Sequence, residues 1–389
     1  MNKLLNKSCI YIIIFHLFFI SCQKEQNTYK IYLKADEKII NQKQDVKIFT
    51  SEQTNKLLGN IKTRGGFSIN FPKKSYEINL NNEVSLLGLP KDDDWILNAN
   101  FIDKTFLRHV ISYEIFQDMS SQNIAPNTRY TELFINNKYE GLYVLMEKLD
   151  KSTLGVELGD SLSFIFKDPH IFRKSYSNIT PQKENNFHQQ TFPKIEELNQ
   201  HQLINKTREF ILNSNDSIFT HRIGQFFDIN NIIDWHILLL ITNNSDGILK
   251  NFYLYKINQE TPIRISPWDY DHSFGRDGDN ELNLNTRKVN LQRSILFDRL
   301  LKFSWYNKKL KKRWIYLKNK DIISAQGLKN RIKTKHQLLI DLIDTNNQKW
   351  PTNHPIYYDH NNINEELQIM YDFIDEKHIE LDKYFESIN

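Results

Sequence analysis

The sequence predicts an α+β fold in which a β-rich N-terminal lobe with one main helix precedes a mostly helical C-terminal lobe. Runs of β-branched and aromatic residues with period-two alternation dominate from residue 30 to about residue 150. From 151 to 389, apolar residues recur mainly at helical spacing. The 389 residues, 40% of them apolar and 13% aromatic, are enough to fill a core across two lobes without disulfides.

The N-terminal segment has the pattern of an export signal. Lys3 and Lys7 precede an apolar run over 10–20, which is shorter than the roughly 20 residues of a membrane-spanning helix. This pattern predicts a signal peptide over 1–22, ending in a Phe-Ile-Ser-Cys sequence that resembles a bacterial lipobox, although Phe19 stands where Leu is usual. A lipid on Cys22 would hold the exported protein at a membrane surface through a tether over 23–29. The alternative is an ordinary signal peptide that contains a cysteine.

Charge and cysteine content exclude several function classes. Both cysteines, Cys9 and Cys22, lie in the export segment, so the remaining chain offers no thiol for catalysis or for a zinc finger. The 51 basic and 47 acidic side chains give a net charge of +4, which falls to +2 when Lys3 and Lys7 leave with the signal peptide. So small a charge does not indicate a nucleic-acid partner.

The N-lobe, predicted over 30–150, contains several strand patterns and one helix. Alternating segments at 31–33, 46–49 and 76–80 predict strands, and 130–147 predicts a hairpin that turns at 136–138. Apolar residues at helical spacing predict the helix over 104–119.

The C-lobe, predicted over 151–389, begins with a polar stretch at 173–192 that we interpret as a surface insertion. Helical periodicity then predicts helices over the ranges 196–213, 229–243, 293–303, 306–319, 325–344 and 363–386. Between two of them, 252–267 reads as a β-hairpin.

Acidic residues and one asparagine flank this hairpin closely. Asp246 and Asn251 precede it, and Asp269 and Asp271 follow it. Phosphoryl transfer to a hydroxyl needs a carboxylate to orient the hydroxyl, oxygen ligands for Mg²⁺ and a cation for the nucleotide. The order helix, Asp-x4-Asn, hairpin, Asp matches the C-lobe of protein kinases, in which the first Asp orients the substrate hydroxyl.

The same residues have simpler interpretations. Asp246 and Asn251 are also typical of turn capping, and Asp269 and Asp271 of local hydrogen bonds to the backbone. The kinase pattern is also incomplete, because Asn244-Ser245 replaces its usual His-Arg and the last acid lies in Trp-Asp-Tyr-Asp. We favour the site because clustered carboxylates usually need a cation.

The N-lobe offers candidate partners for a nucleotide. Arg64 precedes two glycines, and Lys74 has the strand parity of Tyr76, which predicts that Lys74 rather than Lys73 points inward. Glu114, on the apolar face of the helix, is a candidate partner for that lysine, and Glu147 ends a strand where an adenine would sit. As alternatives, Lys74 would be an exposed lysine at a strand edge, Glu114 a surface residue and Glu147 an ordinary charge at a strand end.

These stretches together resemble the CotH family of spore-coat-type atypical protein kinases. The matching segments are the ranges 64–66, 71–76, 86–109, 132–150, 244–255 and 266–275. The resemblance implies a protein-kinase-like two-lobe fold. It also implies ATP and Mg²⁺ or Mn²⁺ as cofactors, and γ-phosphoryl transfer to Ser or Thr hydroxyls of a protein substrate. By position it implies that Asp246 is catalytic, that Asp269 and Asn251 are metal ligands, and that Lys74 and Arg64 contact the nucleotide. Asp271 is a further candidate metal ligand because it belongs to the same cluster of carboxylates.

Three functions compete at this point. The first is an active exported kinase, periplasmic or at the cell surface. The second is a catalytically silent, surface-anchored binding or adhesion protein on the same fold, because a fold does not establish activity. The third is a carbohydrate-active enzyme with Asp269 and Asp271 as its acid pair, but an i, i+2 pair on one loop is poorly placed to flank a glycosidic bond. The intact set of Lys74, Asp246, Asn251 and Asp269 favours the first.

Overall fold

The computed structural model describes residues 29–53, 55–174, 189–276, 288–357 and 359–388. The predicted signal peptide with Cys22, tether residues 23–28 and most of the predicted insertion at 173–192 lie outside these ranges. Among the residues described, no helix is both long enough and apolar enough to cross a bilayer.

Seven strands of the described N-terminal half close into a barrel, with neighbours in the order β1-β2-β3-β4-β5-β7-β6. They are β1 (Lys30–Lys34), β2 (Gln44–Thr50), β3 (Leu57–Arg64), β4 (Ser75–Ser85), β5 (Lys91–Asn98), β6 (Thr128–Ile135) and β7 (Lys138–Glu147). Alternate side chains such as Ile31, Ile48 and Ile78 fill its interior, as period-two patterns require. The parallel pairing of β1 with β6 completes the closure.

The hairpin predicted over 130–147 is confirmed as the antiparallel pair β6–β7. Its two turn residues, Asn136 and Asn137, have φ of +49° and +65°. Asparagine tolerates this left-handed conformation better than most residues, which is why it recurs in tight hairpin turns.

Eight helices lie within the described residues: α1 (Arg108–Met119), α2 (His201–Asn213), α3 (Asp216–Phe226), α4 (Ile229–Thr242), α5 (Ile295–Leu300), α6 (Ser304–Asn319), α7 (Ala325–Lys349) and α8 (Ile363–Ser387). All but α3 were predicted, with boundaries within a few residues at most ends. α3 follows directly after α2, and Asn215 caps it by accepting a hydrogen bond from the Ile218 amide.

A second, smaller sheet lies among the helices. Its strands are β8 (Phe164–Lys167), β9 (Gln189–Phe192), β10 (Phe252–Lys256) and β11 (Arg264–Pro267), paired in the order β11-β10-β8-β9. β10 and β11 confirm the hairpin predicted over 252–267. Strands β8 and β9 were not predicted from the sequence, and β9 forms the end of the segment interpreted as a surface insertion.

The hydrophobic residues form two main cores. One fills the barrel, while the larger one joins α1, the small sheet and the C-terminal helices. Helix α1 packs against α4 and is buried on most of its circumference. The mixed α+β class with a helical C-terminal part is therefore confirmed.

A buried network of ion pairs connects distant parts of the chain. The fully buried Arg108 donates from Nη1 to Asp103 Oδ1 (2.7 Å), from Nη2 to Glu366 Oε2 (3.3 Å) and from Nε to the Ser273 carbonyl oxygen (3.0 Å). These contacts connect the start of α1 with the loop after β11 and with the first turn of α8.

The network continues beyond Glu366. That carboxylate also pairs with Arg276, whose Nη1 lies 3.1 Å from Asp359 Oδ2. Asp359 in turn lies 2.6 Å from the Lys104 ammonium. Acids and bases alternate along the chain of contacts, so each buried charge has a partner of opposite sign.

We expect Arg108→Met to lower the free energy of unfolding by about 3–5 kcal/mol, because Asp103 and Glu366 would stay buried without their shared partner. Urea unfolding followed by circular dichroism measures the change. Arg129→Met is the matched control, since Arg129 is exposed and donates only to the Thr128 carbonyl. Equal stability loss in the two variants would contradict the structural role of the network.

Candidate functional site

A cavity of about 340 Å³ lies where the end of the barrel meets the small sheet and the loop after β11. Five of the residues predicted from the sequence line it: Arg64, Asp246, Asn251, Asp269 and Asp271. Further polar side chains that line it are Lys167, Asp168, His109, Lys250 and His272. The hairpin β10–β11 explains this grouping, because its two open ends carry Asn251 and Asp269 side by side.

Two left-handed residues fix the base of the cavity. Asn251 and Asp269 have φ of +61° and +57°, and Asn251 Nδ2 donates to the Asp269 carbonyl oxygen at 3.2 Å. The backbone amide of Asn251 donates to Asp168 Oδ1 at 2.7 Å. Asp168 follows β8 and was missed by the sequence analysis, since nothing near it in the chain indicates that it faces Asn251.

Asp246 stands on a single 3₁₀ turn that follows α4. Its Oδ2 lies 2.8 Å from the Lys250 ammonium and 3.5 Å from His272 Nε2. Asn244 holds the turn by accepting a hydrogen bond from the Gly247 amide at 2.9 Å. The carboxylate therefore faces the cavity between two basic groups that restrain it.

His109 joins the acids from the opposite side. It is the second residue of α1, and its Nε2 lies 3.2 Å from Asp269 Oδ1. His109 was not predicted as a site residue, because α1 lies far from Asp269 in the chain and the apolar spacing of α1 does not indicate a polar residue in a site.

The environment drives the pKa values of the two acids apart. Desolvation would raise the pKa of Asp269, but the hydrogen bond and charge of His109, with help from Arg64 and His272, lower it to about 2. Burial and the negative charge of Asp269 raise the pKa of Asp271 to about 6. Adjacent acids that repel each other in this way are stabilised by a cation.

The same group of residues fits a divalent cation. One ligand atom each from His109, Asp269 and Asp271 can be chosen so that all lie within 4.8 Å of one another. Asn251 borders the cavity as well, and because its amide nitrogen donates to Asp269, its amide oxygen is the atom left for a ligand. Carboxylate and amide oxygens are preferred ligands of Mg²⁺ and Mn²⁺.

The orientation predicted for the two lysines is wrong. Lys73 is buried and lines the cavity, and its ammonium donates to Ala99 O (2.9 Å), Asn346 Oδ1 (3.0 Å) and Leu142 O. Lys74 is half-buried and turns back to donate to the carbonyl oxygens of two residues in the preceding turn, Ile69 (2.8 Å) and Phe71 (2.6 Å). β4 begins only at Ser75, so the strand parity used for the prediction does not extend to the lysines.

Two predicted glutamates lie away from the cavity. Glu114 pairs with Arg331 at 3.3 Å and Lys335 at 2.5 Å, both on α7, and it contacts neither candidate lysine. Glu147 is buried and accepts hydrogen bonds from the amide (2.9 Å) and side chain (3.0 Å) of Asn127. The pairing of α1 with α7 and of Glu147 with the turn before β6 depends on tertiary contacts that sequence spacing does not reveal.

Basic groups at the cavity are gathered around one indole ring. The Arg64 guanidinium and the Lys167 ammonium each lie 5.9 Å from the centre of the Trp268 ring. Among the described residues, Arg64 forms no ion pair. Gly65 beside it has φ of +129°, which a residue with a side chain rarely adopts. A side chain at this position would collide with Ser68 Oγ, so the glycine allows the tight turn that follows β3.

The arrangement defines a mixed α+β protein with a carboxylate-rich cavity between a barrel and a helical region. Residues 61–381 match the family model described as CotH kinase protein, and the chain belongs to this family. The resemblance seen in the sequence is thereby confirmed.

Among characterised relatives, the chain is similar to inner spore coat protein H of Bacillus subtilis (strain 168), with 24% identity over 222 residues. The alignment covers 56% of this chain and 59% of that relative. Among solved structures, a chain of the HipA, HipB and operator DNA complex of Shewanella oneidensis MR-1 aligns with a TM-score of 0.35 and 10% identity. That alignment covers 79% of this chain and 67% of the other.

We expect Lys73→Met to lower the free energy of unfolding by at least about 2 kcal/mol, because three buried acceptors would lose their donor. Lys74→Met should cost less than about 1 kcal/mol, since water can reach the carbonyl groups that it releases. Urea unfolding of both variants measures the difference. A larger loss for Lys74→Met would contradict the assignment of Lys73 as the buried lysine.

Proposed function

We propose that this protein is an exported, kinase-like phosphotransferase that transfers the γ-phosphoryl group of ATP to Ser or Thr hydroxyls of a protein substrate. The observation that carries the proposal is the convergence of Asp246, Asn251, Asp269, Asp271 and Arg64 on one cavity. Membership of the CotH kinase family supports it. The two predicted lobes, 30–150 and 151–389, would then enclose one site.

Asp246 is the residue proposed to act on the substrate hydroxyl. In phosphoryl transfer, a carboxylate at this position orients the hydroxyl and accepts its proton. Lys250 and His272 restrain the carboxylate within the cavity, at 2.8 Å and 3.5 Å from its Oδ2. A restrained acceptor loses little freedom when the hydroxyl arrives, which favours reaction geometry.

Asp269, Asp271 and Asn251 are the residues proposed to hold Mg²⁺ or Mn²⁺. A bound divalent cation neutralises negative charge on the phosphate groups. Asp269 is suited to this role because its pKa is lowered, so that it stays ionised at neutral pH. Asn251 fixes the loop through its hydrogen bond to the Asp269 backbone.

Arg64 and Lys167 are proposed to contact the nucleotide phosphates, since both border the cavity and Arg64 makes no ion pair with another described residue. Guanidinium groups bind phosphate with two parallel hydrogen bonds. We no longer assign this role to Lys74, because its ammonium donates to the carbonyl oxygens of Ile69 and Phe71. The exposed Phe67 ring at the rim offers a surface on which a nucleobase can stack.

One observation favours the alternative of a catalytically silent, surface-anchored binding or adhesion protein. Lys73 already donates to three acceptors, and Glu114 pairs with α7 instead of with a lysine near the cavity. Among the described residues, neither Lys73 nor Lys74 therefore forms the lysine–glutamate pair of ordinary protein kinases. Nucleotide binding without label transfer would favour this second function.

The test of the kinase proposal is incubation of the full-length protein with [γ-³²P]ATP and Mg²⁺ or Mn²⁺, using autophosphorylation and a generic basic protein as acceptors. Asp246→Asn should reduce label transfer by about 100-fold or more and retain nucleotide binding, because it removes the proton acceptor alone. Asp269→Asn should lose metal-dependent nucleotide binding as well.

Asp375→Asn serves as the matched control, since this half-exposed acid pairs with Lys329 of α7 and does not line the cavity. Its transfer rate should equal that of the unmodified protein. Absence of both nucleotide binding and label under all conditions would refute the kinase proposal. Undiminished label in both site variants would refute the residue assignment.

We also propose that the protein is a membrane-anchored lipoprotein, periplasmic or at the cell surface, with the lipid on Cys22. The lipobox-like segment that ends at Cys22 supports this. Cys22→Ser should move the protein from the membrane fraction to the soluble fraction after cell lysis, as an immunoblot would show. Cys9→Ser should leave it in the membrane fraction. Membrane association unchanged in Cys22→Ser would contradict lipidation at this residue.

A further inference from the structure

His109 places an imidazole nitrogen in a metal site otherwise made of oxygen ligands. We infer that His109 Nε2 is a direct ligand of the cation held by Asp269 and Asp271, and that the site therefore selects a divalent transition ion such as Mn²⁺ over Mg²⁺. This inference rests on the metal site of the proposed function, but it does not depend on phosphoryl transfer.

The distances suit shared coordination. His109 Nε2 and Asp269 Oδ1 are 3.2 Å apart, and the group that includes Asp271 falls within 4.8 Å. Two ligands at right angles around an ion, each about 2.1 Å from it, are separated by roughly 3 Å, and opposite ligands by about 4.2 Å. The three side chains therefore need only small adjustments to surround one ion.

The ring is held in the required direction. His109 is 4% exposed, and its ring packs edge-on against Tyr113 with 6.0 Å between the ring centres. The Tyr113 hydroxyl accepts a hydrogen bond from the Asp269 amide at 3.1 Å, so one tyrosine positions both the imidazole and the acid loop. Arg108, the preceding residue, is fixed by the buried ion network. A ligand held this firmly loses little entropy on binding an ion.

The chemistry of imidazole accounts for the selectivity. Imidazole nitrogen binds divalent transition metals well, whereas Mg²⁺ prefers oxygen ligands and retains several waters. Mn²⁺ shares the preference of Mg²⁺ for carboxylate oxygens, and as a divalent transition ion it can also take a nitrogen ligand. A simple ion pair between a protonated His109 and Asp269 is the alternative, and it gives no preference among ions.

The decisive experiment is pulsed electron paramagnetic resonance of the full-length protein with Mn²⁺ alone, in the absence of nucleotide. We expect a ¹⁴N hyperfine coupling from a directly bound imidazole, replaced by the ¹⁵N pattern when the histidines are ¹⁵N-labelled. Equilibrium titrations should show tighter binding of Mn²⁺ than of Mg²⁺.

His109→Asn should remove the nitrogen coupling and weaken Mn²⁺ binding by at least about tenfold, while Mg²⁺ binding changes little. His272→Asn is the matched control, because His272 borders the same cavity but faces Asp246. It should retain the coupling. Circular dichroism tests whether the variants are folded. If His109→Asn does not fold, the ¹⁵N-labelled unmodified protein still shows whether an imidazole nitrogen binds Mn²⁺.

Bound Mn²⁺ without nitrogen coupling, no Mn²⁺ binding, or a coupling lost in His272→Asn but kept in His109→Asn would each overturn the inference. These results are separable from failure of the kinase proposal. A protein that binds Mn²⁺ through His109 and transfers no phosphate retains the metal assignment and loses the kinase function. A protein that transfers phosphate but shows no nitrogen coupling retains the kinase function and loses the assignment of His109 as a metal ligand.

Discussion

The site depends on the buried ion network centred on Arg108. Three segments that are remote in sequence meet there: the start of α1, the loop at 273–276 and the start of α8. Burying any of these charges alone would be strongly unfavourable, so each segment keeps its place only while its partners are present. The loop that carries Asp269 and Asp271 is thus anchored to α1 directly beside the cavity.

The consequence for the cavity comes from helix geometry. Consecutive residues of a helix point about 100° apart, so Arg108 can enter the network while His109 faces the acids. The residue that enters the ion network, Arg108, is therefore bonded directly to the residue that carries the imidazole, His109. This arrangement sets the 3.2 Å contact of His109 with Asp269 without a flexible connection.

Features that depend on residues close together in the sequence were mostly predicted, whereas features that depend on distant residues were not. Asp246, Asn251, Asp269 and Asp271 lie within 26 residues around one hairpin, and the predicted helix and hairpin boundaries largely hold. His109 and Asp168 join the same cavity through contacts across more than 80 residues. Closure of the barrel by β1 and β6 is equally long-range. The lysine orientation failed for a local reason, since Lys73 and Lys74 precede β4.

The charges that line the cavity explain why the proposed cation and the proposed nucleotide would bind together. Burial and repulsion from Asp269 raise the pKa of Asp271, so a cation between the two acids would favour the ionised form of Asp271. Arg64 and Lys167 stand at Trp268, outside the group that His109 forms with the two acids. The acids proposed to hold a cation and the bases proposed to contact phosphate therefore line the same cavity. The proposed nucleotide–metal complex would balance both charged groups at once, whereas free phosphate would meet the uncompensated acids.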